Sequence, residues 1–266
     1  MKTIPLLAAA LLSLSTAASA HKPFLVPSST VLSNLDEWIT VDAAVSDDLF
    51  FFNHQPLNLD SLAIVGPDGA RVPAENTTKG KVRNTFDVHL VSRGTYRIGT
   101  DASFVLANYE LNGEKKRWRG TAAAFATEMP AGAKNVEVSE GSNRVETFVT
   151  SGKPTALFKA SGVGLELQPV THPNDLIAGE AASFRMLLDG KPVSNLKVIA
   201  VPGETRYRDR QDEIETTTDA DGRFSFKWPG AGLWWINAAT KDNHTTLPQA
   251  KERRASYAAT LEVMPN

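Results

Sequence analysis

The sequence predicts an all-β protein built of two β-sandwich domains, the C-terminal one immunoglobulin-like or transthyretin-like. Three observations carry that expectation. Short runs of alternating or β-branched character recur along the chain, among them "EWITVDAAV", "FDVHLV", "GTYRIGT", "SFRMLLDG", "LKVIAV" and "RFSFKW". Turn residues punctuate them in "PDGA", "NGEK", "DGKP" and "DADG", the pattern of antiparallel sheets joined by short connections. Only residues 119–128, "RGTAAAFATE", have a helical composition.

The chain starts with an expected export signal over residues 1–20. Lys2 supplies the positive start, an apolar run extends from Ile4 to Leu14, and Ala18-Ser19-Ala20 has the small-x-small form of a cleavage site. The apolar run is shorter than the roughly 18 residues needed to span a bilayer, and no other segment approaches that length. The expectation is a periplasmic protein without membrane insertion once the signal is removed, with His21 as its first residue.

The N-terminal domain is expected over 21–155 and the C-terminal domain over 160–266. Between them "SGKPTALFKASGVG" (151–164) reads as a Gly/Ser/Lys connection. In the second domain, Phe224, Phe226 and Trp228 alternate with polar residues, so one face of that strand is buried. Trp234 and Trp235 in "LWWINA" must point to opposite faces, which predicts one in the core and one at the surface. "TDADG" has two aspartates in calcium-loop order but lacks the other ligands and the terminal Glu of an EF-hand. It reads as a β-turn with Gly222 at positive φ.

Composition narrows the function. There are 28 Lys and Arg against 30 Asp and Glu, with no basic patch or acidic tail, which argues against a nucleic-acid partner. The chain has no cysteine, so thiolate metal sites, cysteine nucleophiles and disulfides are excluded. No nucleophile elbow, phosphate-binding loop or dinucleotide fingerprint is present. No catalytic residue is assigned, and the chain is read as a non-enzyme. An oxidative copper enzyme acting on polysaccharide is a remote alternative, and fold analogy alone does not carry it.

The remaining chemistry lies in histidine. Cleavage after Ala20 would place a free α-amine on the residue that bears the His21 imidazole. The amine and Nδ1 can chelate one ion in a six-membered ring, and an α-amine deprotonates near about 7.7–8.0, far more easily than a lysine. One further imidazole would complete a three-nitrogen set suited to Cu(II), which Ni(II) also accepts. Position three is Pro23, not histidine, so the further ligand must come from elsewhere in the fold. His54 is the candidate. It follows Phe50–Phe52, and an apolar surround would make an unpartnered imidazole costly, with a metal or a carboxylate such as Asp47 or Asp48 as the remedy. His89 should face solvent from a strand, His172 should start a turn or touch the other domain, and His244 should be solvated. No two histidines have the spacing of a local metal motif.

Taken together, "AHKPFLVPSSTVLS", "VDAAVSDDLFFFNHQPL", "KRWRGTAAAFA", "GLELQPVTHPNDLIAGE", "VPGETRYRD" and "TTDADGRFSFKWPGAGLWWINA" resemble the DUF4198 family of periplasmic proteins. Some members are labelled as periplasmic components of cobalt or nickel uptake systems. The resemblance implies a His directly after the cleavage site and a second His after the early strands, here His21 and His54.

Two functions are therefore expected. The first is a periplasmic protein that binds a divalent transition metal, copper first and nickel or cobalt next, through His21 and His54, and exchanges it with an outer-membrane or transport protein. The second is a non-catalytic interaction module for a protein or glycan partner, in which exposed Trp118, Trp234 and Trp235 would serve as anchors.

Overall fold

The computed structural model describes residues 21–156 and 159–266. The expected export signal lies outside the described residues. The first strands are β1 (Lys22–Pro27), β2 (Val31–Leu32), β3 (Glu37–Ser46), β4 (Gln55–Pro56), β5 (Leu62–Val65), β6 (Arg71–Val72), β7 (Glu75–Lys79) and β8 (Asn84–Leu90). Then come β9 (Gly94–Leu111), β10 (Glu114–Gly120), helix α1 (Ala122–Glu128) and β11 (Lys134–Ser151). The C-terminal half contributes β12 (Leu165–Pro169), β13 (Ala181–Leu188), β14 (Lys191–Pro192), β15 (Lys197–Pro202), β16 (Ile214–Thr217), β17 (Arg223–Lys227), β18 (Gly232–Asp242) and β19 (Ala250–Val263).

The fold is all-β and sandwich-like, as the strand and turn pattern predicts. The turns form where the sequence asks for them. Asn112-Gly113 and Asp189-Gly190 take positive φ at both positions and close two-residue hairpins between β9 and β10 and between β13 and β14. In "DADG", Gly222 sits at φ 72°, and the Asp219 carboxylate accepts from the backbone N–H groups of Asp221 and Arg223. The helix starts at Thr121, whose hydroxyl accepts from the Ala124 N–H at 3.1 Å, and it buries Phe125 against Trp118.

Three sheets make the layers. A five-stranded sheet has the order β1-β3-β8-β7, with β4 also on β3. A ten-stranded sheet runs β16-β15-β18-β19-β11-β9-β5-β6, with β10 beside β9 and β2 beside β11. A four-stranded sheet contains β12, β13, β14 and β17. The ten-stranded sheet draws on both halves of the chain, joined where β11 and β19 pair in parallel. One core gathers Phe24, Ile39, Val41, Phe86 and Val88 of the five-stranded sheet against Tyr96, Ile98 and Val149. The other gathers Phe184, Phe224, Phe226 and Trp228 against Ile236, Tyr257 and Leu261.

That arrangement corrects one expectation. Trp234 and Trp235 do point to opposite faces, but both are buried, 3% and 4% exposed. Trp234 enters the C-terminal core and Trp235 the N-terminal one. A strand covered on only one face would leave one of them in water. β18 lies in a sheet that receives a layer on each side, so both faces are interior. Trp118 is half-buried on Phe125. These tryptophans are therefore packing residues, and Trp234 and Trp235 offer no exposed platform for a partner.

Candidate metal centre

Strand pairing brings the two candidate histidines together. β3 is flanked by β1 on one edge and β4 on the other, so Val45 faces both Pro23 and Gln55. His21 precedes Lys22, which faces Ser46, and His54 precedes Gln55. Both histidines thus leave the sheet at one end, on either side of the Ser46–Asp47 peptide. Their rings stack above it, with centroids 3.9 Å apart and planes inclined by 22°.

The loop 47–54 holds this arrangement through both apolar and polar contacts. Phe50 takes a left-handed φ of 63°, which turns the chain so that Phe50 and Phe52 pack on Phe24, with ring centroids 5.4 and 6.1 Å away. Ser46 and Asn53 hydrogen-bond through their side chains, and the Asn53 amide donates to Asp48 at 3.1 Å. The Leu49 N–H donates to the Thr205 hydroxyl at 3.3 Å, pinning the loop to the C-terminal half. The buried Lys22 ammonium donates to the Asp47 carbonyl at 2.9 Å. Burial pushes the Lys22 pKa down, opposed by Asp48, Asp47 and Glu213.

His54 is exposed, so the apolar surround expected for it is not there. The phenylalanines turn inward onto Phe24 and leave the imidazole in solvent. The carboxylate falls elsewhere too: Asp47 Oδ1 lies 2.7 Å from His21 Nδ1, with both side chains about half exposed. The sequence offered Asp47 as a partner for His54, and strand register assigns it to His21. His89 stacks on Trp38 at 4.2 Å and meets Asp36 at 2.6 Å. His172 lies between the two halves, its Nε2 2.9 Å from the Thr95 hydroxyl. His244 is 80% exposed. None of these three joins the His21–His54 pair.

Among the described residues, no group of three or more His, Cys, Asp or Glu side chains is arranged to hold a metal ion. A metal ion at this pair would need a donor beyond the two imidazoles, and the His21 nitrogen could serve only if cleavage after Ala20 freed it as an amine. The resulting nitrogen set fits the chemistry of Cu(II) or Ni(II). Stacked rings present their nitrogens side by side, so convergence on one ion requires a change of side-chain torsion. Exposed side chains change rotamer on the picosecond-to-nanosecond scale.

Known structures give weak likenesses. The D0-D1 domain of intimin is 11% identical, with 90% of this chain and 97% of that one covered and a TM-score of 0.23. The human OSCAR ligand-binding domain is 12% identical, with 92% and 100% covered and a TM-score of 0.21. Likeness at this level carries no argument about binding or activity. Comparison with curated proteins finds no match. The family model described as "Domain of unknown function (DUF4198)" matches residues 18–242, most of the chain, and the protein belongs to that family.

Proposed function

We propose that the protein is an exported, periplasmic metal-binding protein that takes one divalent transition metal ion, copper in preference to nickel or cobalt. Its ligands are the His21 imidazole, the His54 imidazole and the α-amine freed by cleavage after Ala20. The observation that supports this reading is the 3.9 Å approach of two imidazoles far apart in sequence, at the chain end where the amine would be released. An acylated His21 nitrogen is a poor ligand, so the reading ties binding to processing. The exposed position of the pair suits exchange of the ion with a transport or outer-membrane partner. No catalytic role is part of this reading.

The deciding experiment is titration with Cu(II) and Ni(II) of two proteins, one starting at His21 and one with a single alanine added before it. Submicromolar binding of one ion by the first, largely lost in the second, supports the proposal. Equal weak binding by both refutes it.

A further inference from the structure

β9, β10 and β11 carry the ten-stranded sheet past its sandwich layers as an arm. One face of this arm is covered. Val105, Ala107, Val138 and Ala250 pack there under Phe125 of α1. The opposite face carries a groove of about 540 Å³ lined by apolar and polar residues together, among them Asn143, Thr240 and Ser256, within the size range of small-molecule sites. Its floor includes Phe104, Leu106 and Ala239.

Two features give the groove its chemistry. The Phe104 ring lies close over Gly141. A Cβ at that glycine would stand 2.3 Å from the ring. Lys241 and Arg254 line the groove, and Arg119 borders it by stacking on Phe104. The Arg119 guanidinium sits 3.7 Å from the centroid of Phe104 and is ion-paired to no carboxylate among the described residues. Arg254 and Lys241 share one carboxylate, Glu252, at 2.6 and 3.9 Å. Glu140 also lines the groove, but its carboxylate is taken up by the Thr246 and Leu247 N–H groups and the Thr246 hydroxyl, so three cations face two carboxylates, one of them already engaged. Partial burial and the neighbouring Arg117 charge push the Arg119 pKa down, as expected for a guanidinium short of negative charge.

We propose that this groove binds a small planar organic anion, an aromatic carboxylate in chemical class, with its ring over Leu106 and Ala239 at the edge of Phe104 and its carboxylate between Arg254 and the Arg119 guanidinium that covers Phe104. Guanidinium groups suit this task because their planar forks pair with carboxylates and stack on aromatic faces. The groove uses the far end of β18 and β19 from the β1 end that bears the histidine pair, so this binding does not depend on metal.

The probe is 2-naphthoate, titrated into the metal-free protein starting at His21 and followed by amide chemical shifts. Saturable one-site binding is expected, with shifts at Phe104, Gly141 and Ala239. Neutral 2-naphthalenemethanol is expected to bind at least tenfold more weakly. The double variant Arg119→Gln/Arg254→Gln is expected to lose at least tenfold in affinity. Ala239→Trp, which fills the groove without touching a charge, is expected to abolish binding, and it keeps the test decisive should the double variant misfold. No saturable binding, equal binding of the neutral analogue, or shifts confined to another surface overturns the proposal. So does tight binding of a heparin fragment without any response to naphthoate, which would make the face a polyanion surface.

Discussion

The imidazoles of His21 and His54 lie 3.9 Å apart, one leading into β1 and the other into β4, on opposite edges of β3. If they share a metal ion, His54→Ala removes a ligand without removing a core contact. Loss of even an outer-shell partner costs metal affinity roughly 10–100-fold, so this variant should lose at least about that much. Its folding stability should stay within about 0.5 kcal/mol of the parent, because the side chain is exposed. Copper titration beside a urea unfolding curve reads both. Unchanged copper affinity in the variant would remove His54 from the site.

Asp47 sits against His21 Nδ1, the nitrogen that would chelate together with the amine. Once Nδ1 binds the ion, the carboxylate remains a near neighbour of a divalent charge in exposed surroundings. A unit charge at about 5 Å in water, screened by salt, changes the affinity for such an ion by roughly threefold to tenfold. Asp47→Asn should therefore weaken copper binding by about that factor at low salt and by less at high salt. A gain in affinity would mean that Asp47 acts chiefly as a competitor for His21.

Much of this was legible in the chain. The turns at Asn112-Gly113, Asp189-Gly190 and Asp219–Gly222 could be read because each depends on local φ preferences and Asx hydrogen bonds. The two histidines could be named because the expected cleavage would give His21 a free α-amine and few other imidazoles exist. Their proximity was not legible, since it depends on β1 and β4 flanking the same strand. The burial of both Trp234 and Trp235 was hidden for a similar reason. Alternation tells that a strand has two faces, and only the third layer tells that neither is wet.

His172 predicts a pH dependence of stability. Its Nδ1 accepts from the Asn174 N–H at 3.1 Å, so the ring proton belongs on Nε2, which then donates to the Thr95 hydroxyl. Burial lowers its pKa from the ordinary 6.5, against the raising influence of Asp175 and of a backbone hydrogen bond with Thr155. The unfolded chain therefore takes up the proton first as pH falls. The stabilising contribution is complete above about pH 6.5 and is lost between that value and the lower native one. Urea midpoints measured from pH 7.5 to 5 should fall more for the parent than for His172→Gln. Parallel curves would show that this histidine is not a source of the acid sensitivity.

Trp235 links the N-terminal core to the candidate site. Its indole N–H donates to the Pro23 carbonyl at 2.8 Å, tying the start of β1 to β18. Trp235→Phe keeps an aromatic ring in the core but leaves that carbonyl without its donor, a loss of about 1–3 kcal/mol. The consequence should be local as well as global. With the tie gone, the first turn of pairing between β1 and β3 opens more easily, and hydrogen exchange at the β1 amides should speed up beyond what the drop in global stability explains. If the histidine pair holds copper as proposed, copper affinity should fall in the same variant although neither histidine has changed, because β1 fixes His21 beside His54. Exchange that rises only in step with global unfolding, with copper affinity intact, would show that Trp235 supports the core alone and that the position of His21 is set by the Ser46–Asn53 loop.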